Sequence, residues 1–211
     1  GLKLSSGGLP ELADGAGDLV KLMQGIGQEK FENCFLGDAS MSDVERAEAL
    51  IRVKGLAKAA GKAGRPTRDG LVDLYSHGDG RLGVMVEVNC ETDFVARTSE
   101  FRKFAHEMAL QIASNSPLWV SSEDVPAEIL ERERELARQK ATGDGKQEKV
   151  IEQIVEGRLE KFLNDHCLLR QPYVRDEQKT VSEIVQQMIV ATGENVTVRR
   201  FQRWEVGETL E

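Results

Sequence analysis

The chain has 211 residues, 40% apolar and 30% charged, which allows one compact domain with a small appendage and long solvated helix faces. Its net charge of −8 argues against nonspecific attraction to a phosphate backbone, so no direct nucleic-acid binding is expected. No run reaches the ~18 apolar residues of a membrane span, and the first residues lack the charged-then-apolar order of a secretory signal.

Residues 1–40 contain eight glycines and no sustained apolar period, with room for one short helix over 19–23. Order begins at Ser42, which with Glu45 forms a capping box for a helix carrying Val44, Ala47, Leu50 and Ile51. Between Arg52 and Arg68 six basic residues occur without one acid, and Gly61, Gly64 and Pro66 mark a helix end followed by a linker. A hairpin follows: strand 71–75, a turn at His77-Gly78-Asp79-Gly80, and a return strand 82–88 that is dense in β-branched residues. The polar run Asn89-Cys90-Glu91-Thr92-Asp93 must then turn outward. Thr98 or Ser99 caps the next helix, with Phe101, Phe104, Ala105, Met108 and Ile112 on its apolar side. Phe94 falls off that stripe, and its ring is either tucked under its own loop or offered to a partner.

Beyond a break at 114–117, an acidic helix starts near Ser122 or Val125. The segment 147–163 places Val150, Ile151, Ile154, Val155, Leu159, Phe162 and Leu163 on one side. That stripe must pack on the sheet, on the neighbouring helix or on another subunit. Thr180 and Glu183 form a second capping box, opening a helix that Gly193 ends. The last strand, 195–206, changes its apolar parity between Val198 and Phe201, which predicts a bulge. The order of elements indicates an α+β fold, a small antiparallel sheet packed with helices.

Catalytic chemistry finds little support. There is no phosphate loop or dinucleotide fingerprint, and His77, His106 and His166 have no zinc-motif spacing. Cys34, Cys90 and Cys167 are odd in number and unpaired in spacing, which suits a reduced, cytoplasmic setting. Cys90 as a nucleophile would lack an orienting group and an oxyanion site. No enzyme activity, metal or cofactor is expected, and a binding protein is favoured.

Two segments carry a family resemblance: Lys54-Gly55-Leu56-Ala57-Lys58-Ala59-Ala60, and Gly83-Val84-Met85-Val86-Glu87-Val88-Asn89-Cys90-Glu91-Thr92-Asp93-Phe94-Val95-Ala96-Arg97. With Glu156-Gly157-Arg158-Leu159, Gln171-Pro172, Gly193-Glu194-Asn195 and Arg199-Arg200-Phe201, the chain resembles elongation factor Ts over 42–207. That family exchanges guanine nucleotide on elongation factor Tu. The resemblance implies a partner-binding motif at Thr92, Asp93, Phe94 and Val95, with the Phe94 ring wedging into the partner beside its nucleotide site. Gly27, Gln111 and Pro117 are implied as secondary contacts.

It also implies an organisation: a divergent ubiquitin-associated-like module over 1–54, a basic linker at 55–70, a core and dimerisation domain over 71–207, and a tail at 208–211. At the loop of that module only Gly27 matches the family pattern. The chain has room for one core copy, as in short-form members that pair as homodimers, with the 150–163 stripe and the last strand as candidate interfaces. The alternative is a protein that docks on elongation factor Tu without exchanging nucleotide.

Overall fold

A computed structural model describes residues 55, 57, 59–143 and 147–209. The expected N-terminal module, its Ser42 and Glu45 capping box, and Gly27 lie outside the described residues. Residues 55, 57, 59 and 60 are helical. Nearly all other described residues belong to one compact unit, Gly64–Glu211.

That unit opens with a hairpin of β1, Asp69–His77, and β2, Leu82–Cys90. Both strands run further than apolar alternation alone marks, because ladder hydrogen bonds continue through Asp69, Gly70 and Asn89. Gly78, Asp79 and Gly80 all take positive φ in the turn, and the Arg81 N–H donates to the Gly78 carbonyl at 3.2 Å. The chain next forms α1, Asp93–Ala96, and α2, Ser99–Asn115, whose cap is Thr98. A helical pair follows, α3, Ala127–Gly143, and α4, Glu148–His166. After the two-stranded ribbon of β3, Pro172–Tyr173, and β4, Asp176–Thr180, come α5, Val181–Thr192, and β5, Val196–Glu205.

The main sheet has strand order β1-β2-β5, antiparallel throughout. Val88 pairs with Val198 but Glu87 pairs with Arg200, so Arg199 is the extra residue of a bulge where the parity change placed it. Val84, Val86, Val88 and Cys90 alternate onto one face, where Phe101, Phe104, Ala105, Met108 and Ile112 of α2 are also buried. Each large side chain so buried contributes about 1.5–3 kcal/mol. The other face carries Val72, Leu74, Met85 and Trp204, all exposed.

The 150–163 stripe finds its cover within the chain. Ile151 and Val155 of α4 form a buried cluster with Ala137 and Ala141 of α3, and Ile154 and Leu159 pack against it. Arg138 and Glu152 pair across the two helices at 2.7 Å. At the base, the Leu118 and Trp119 N–H groups donate to the His166 carbonyl, and the Trp119 ring packs with those of Phe162 and His166.

Gly70 illustrates how closely the hairpin is packed. A Cβ there would lie 2.2 Å from the Val88 carbonyl oxygen and 2.7 Å from the Asn89 Cα, both rigid backbone atoms. Gly70→Ala is expected to cost about 2–3 kcal/mol in urea unfolding, the upper part of the overpacking range. Gly83→Ala, with nothing within 4 Å of its added Cβ, should stay within about 0.5 kcal/mol of the parent.

Candidate functional site

The turn from β2 into α2 is built by a succession of local hydrogen bonds. The Cys90 thiol donates to the Thr92 carbonyl at 3.1 Å, closing the end of the strand. Thr92, in extended conformation, caps α1, and its hydroxyl oxygen accepts from the Val95 N–H. Three residues on, the Thr98 hydroxyl donates to the Val95 carbonyl at 2.8 Å and accepts from the Phe101 N–H, capping α2. Two capped helices in immediate succession leave little freedom to the residues between them.

A contact across the chain tightens this elbow. Glu194, in the turn between α5 and β5, accepts from the Glu91 N–H at 3.1 Å and the Thr92 N–H at 3.0 Å through Oε2. Its Oε1 accepts from the Thr92 hydroxyl at 2.6 Å. The exchange is reciprocal, since Glu91 Oε1 accepts from the Asn195 N–H at 2.6 Å. Asn195 Nδ2 in turn donates to the Arg65 carbonyl, and the Arg65 guanidinium lies 3.7 Å from Glu91.

On this mount the four residues of α1 divide by burial. Val95 and Ala96 turn inward, each 7% exposed. Phe94 points outward with 79% exposure, the highest among the large apolar side chains described, so the ring is not tucked under its loop. Asp93, in the first turn, pairs with Arg97 at 2.8 Å, and both side chains are mostly exposed. Such a pair contributes little to stability in water but presets the direction of both groups. The result is an apolar ring with an acid and a base beside it, held on a fixed support.

Gln111 and Pro117 lie in the interior. Gln111 has no exposed surface: its amide donates to the Gln171 side chain and the Pro172 carbonyl, and its Oε1 accepts from the Val174 N–H at 2.8 Å. It therefore joins α2 to the β3–β4 ribbon and offers no free polar atom. Pro117 is buried in the connection after α2. Nearby, Glu107 accepts from Tyr173 and Arg175. The Arg175 hydrogen bond holds the Glu107 carboxyl below its usual range, while burial and Glu107 push the Tyr173 phenol up to about 12.

The thiol reading of Cys90 is not supported. The side chain is fully buried, and burial pushes its pKa up to about 11. At pH 7.5 iodoacetamide is expected to leave Cys90 unmodified in the folded protein while labelling it fully in urea, as read by peptide mass mapping. Among the described residues no group of three or more His, Cys, Asp or Glu side chains is placed to hold a metal ion. His106 bonds to Asp73 at 2.9 Å instead. No described helix is long and apolar enough to cross a membrane.

The family described as elongation factor TS matches residues 61–208. The chain is 55% identical over 169 residues to the elongation factor Ts of Caldanaerobacter subterraneus, covering 80% of this chain and 84% of that protein. It is 52% identical over 169 residues to that of Syntrophomonas wolfei, covering 80% and 79%. The protein of the same name from Coprothermobacter proteolyticus is 51% identical over 166 residues, covering 79% and 84%.

Proposed function

The chain belongs to the elongation factor Ts family, and we propose that it binds elongation factor Tu carrying GDP and promotes GDP release so that GTP can bind. The observation that carries this reading is the exposed Phe94 ring on a clamped elbow. An exposed aromatic on a mobile loop would lose backbone entropy on docking, whereas the backbone that carries this ring is already tied on both sides. No bond is made or broken in such a reaction, so the protein acts by binding alone.

The physical basis is coupling. If the chain binds the nucleotide-free partner more tightly than the GDP-bound one, GDP binds less tightly to the complex by the same factor. Asp93 and Arg97 flank the ring and would exchange their mutual pairing for contacts on the partner. Val95, being buried, supports the ring rather than touching the partner. The reduced, buried thiols Cys90 and Cys167 are in keeping with a cytoplasmic setting.

For assembly we propose a homodimer formed through the open face of the three-stranded sheet. Val72, Leu74, Met85 and Trp204 give that face apolar surface, and Glu87 on the central strand, paired with Arg199 and Arg200 of β5, lays a charged row across it beside Val72. Glu87 is held below the usual carboxylate range chiefly by its Arg200 hydrogen bond. The last strand thus contributes to the interface, while the buried part of the 150–163 stripe is already occupied by α3.

The test is the release of a fluorescent GDP analogue from elongation factor Tu, with and without the chain. Exchange predicts an acceleration of about a thousandfold at saturation, equivalent to about 4 kcal/mol off the barrier. A complex that forms without accelerating release would instead establish the docking-only alternative.

A further inference from the structure

We propose that Glu194 is a positioning residue for nucleotide exchange, setting how rigidly the Phe94 ring is presented; this rests on the exchange reading above. Glu194 is 100 residues from Phe94 in sequence and has no direct contact with the ring described. All three of its bonds to the elbow fall on the two residues immediately before α1. They satisfy two backbone N–H groups at the point where strand geometry gives way to the helix, and fix the cap hydroxyl as well.

The direction of the bonds matters. A ring driven between elements of a partner is pushed back along its own backbone. The elbow between β2 and α1 is where that reaction would be absorbed by rotation of φ and ψ. Glu194 ties the elbow to the turn between α5 and β5, where Gly193 in left-handed conformation ends the helix and β5 enters the central sheet. Glu91 and Asn195 close the same junction from the other side. The load is thereby passed to the sheet by a second route, beside the packing of Val95 and Ala96 beneath the four-residue helix.

The substitution Glu194→Ala removes all three acceptors. Glu194→Gln keeps a carbonyl oxygen for the two N–H groups and an amide that can donate to the Thr92 hydroxyl oxygen. Glu194→Asp keeps the charge but withdraws the carboxylate by one methylene, and serves if the alanine form folds poorly. We expect E194A and E194D to slow saturated GDP release about 10- to 100-fold, the range that loss of positioning produces, and E194Q to recover most of it.

Two further readouts separate positioning from general support. In the Phe94→Ala background E194A should add nothing, because the ring through which it acts is gone. Hydrogen exchange of the Glu91 and Thr92 amides should accelerate in E194A while amides in β2 and α2 remain protected. An equal fold-loss in both backgrounds, unchanged protection at residues 91 and 92, or full exchange activity despite loosened amides would each overturn the inference. An inert parent chain would sink the exchange reading itself. An active parent with an indifferent E194A would sink only the role of Glu194.

Discussion

Phe94→Ala is expected to slow the saturated release of GDP from elongation factor Tu by about 10- to 100-fold while leaving the fold intact. The ring is 79% exposed in the free chain, so its apolar surface is in water until the partner covers it. Covering a phenylalanine contributes about 1.5–3 kcal/mol, and each 1.36 kcal/mol lost from transition-state binding is tenfold in rate. A thousandfold acceleration corresponds to about 4 kcal/mol, more than one ring supplies, so the variant should retain part of its activity. The same exposure predicts that the melting temperature stays within a degree or two, since surface substitutions shift stability by about 0.5 kcal/mol or less. Val95→Ala is the converse control. That side chain is 7% exposed, so its truncation should lower stability by about 1 kcal/mol through lost packing, with the ring still present. Parent-like exchange by the Phe94→Ala form would remove the ring from the mechanism and leave the wider interface as its source.

How much of this was legible in the residues differs from element to element. The Val84-Val86-Val88 alternation and the stripe from Phe101 to Ile112 specify the sheet face and the helix that covers it, because both periods are purely local. Thr180 with Glu183, and Gly193, mark the ends of α5 for the same reason. The parity break before Phe201 foretells the bulge at Arg199, since a single extra residue inverts the alternation after it. Phe94 is different. A helix of four residues has no stripe from which to infer which side faces solvent, and the elbow that carries it is tied by Glu194, whose bond to Thr92 spans 102 positions. The Gly193-Glu194-Asn195 match was visible as a resemblance, but nothing local to it says that its carboxylate meets the elbow. Gln111 shows the same limit from the other side. A glutamine on a helix reads as a solvent-facing residue, whereas three partners in the β3–β4 region allow it to be buried without an unpaired polar group. The 150–163 stripe does not name its own partner for a related reason. Amphipathicity fixes that a face is covered, not by what, and the small side chains of Ala137 and Ala141 supply the room.

Trp204→Glu combined with Leu74→Glu is expected to convert the proposed homodimer into a monomer, halving the mass seen by light scattering from twice the chain's 23.4 kDa to that value. The open sheet face is small. Three strands of nine or ten residues present about 30 by 14 Å, a footprint of about 400 Å² per copy and about 800 Å² in all, below the ~1,200 Å² of a standard stable interface, so the dimer expected from this face is a weak one. Each large apolar side chain therefore carries a sizeable part of the interface. Leu74 is 71% exposed and Trp204 63% exposed, so replacing them should not disturb the single chain. In a two-fold dimer every substitution occurs twice, and the four carboxylates would have to be buried without partners at a cost of several kcal/mol each. Trp204 also supplies its own signal. With Trp119→Phe in the background, its emission should shift to the blue as concentration rises through the dissociation constant, because the indole leaves water. A double-glutamate variant that keeps the dimer mass would show that the copies meet elsewhere. A parent chain that is monomeric at every concentration would remove the homodimer and leave the open face for another partner. Exchange by the monomeric variant then decides whether one elbow is sufficient: the Phe94 mount is complete within a single chain, so release per chain should persist where the dimer is lost.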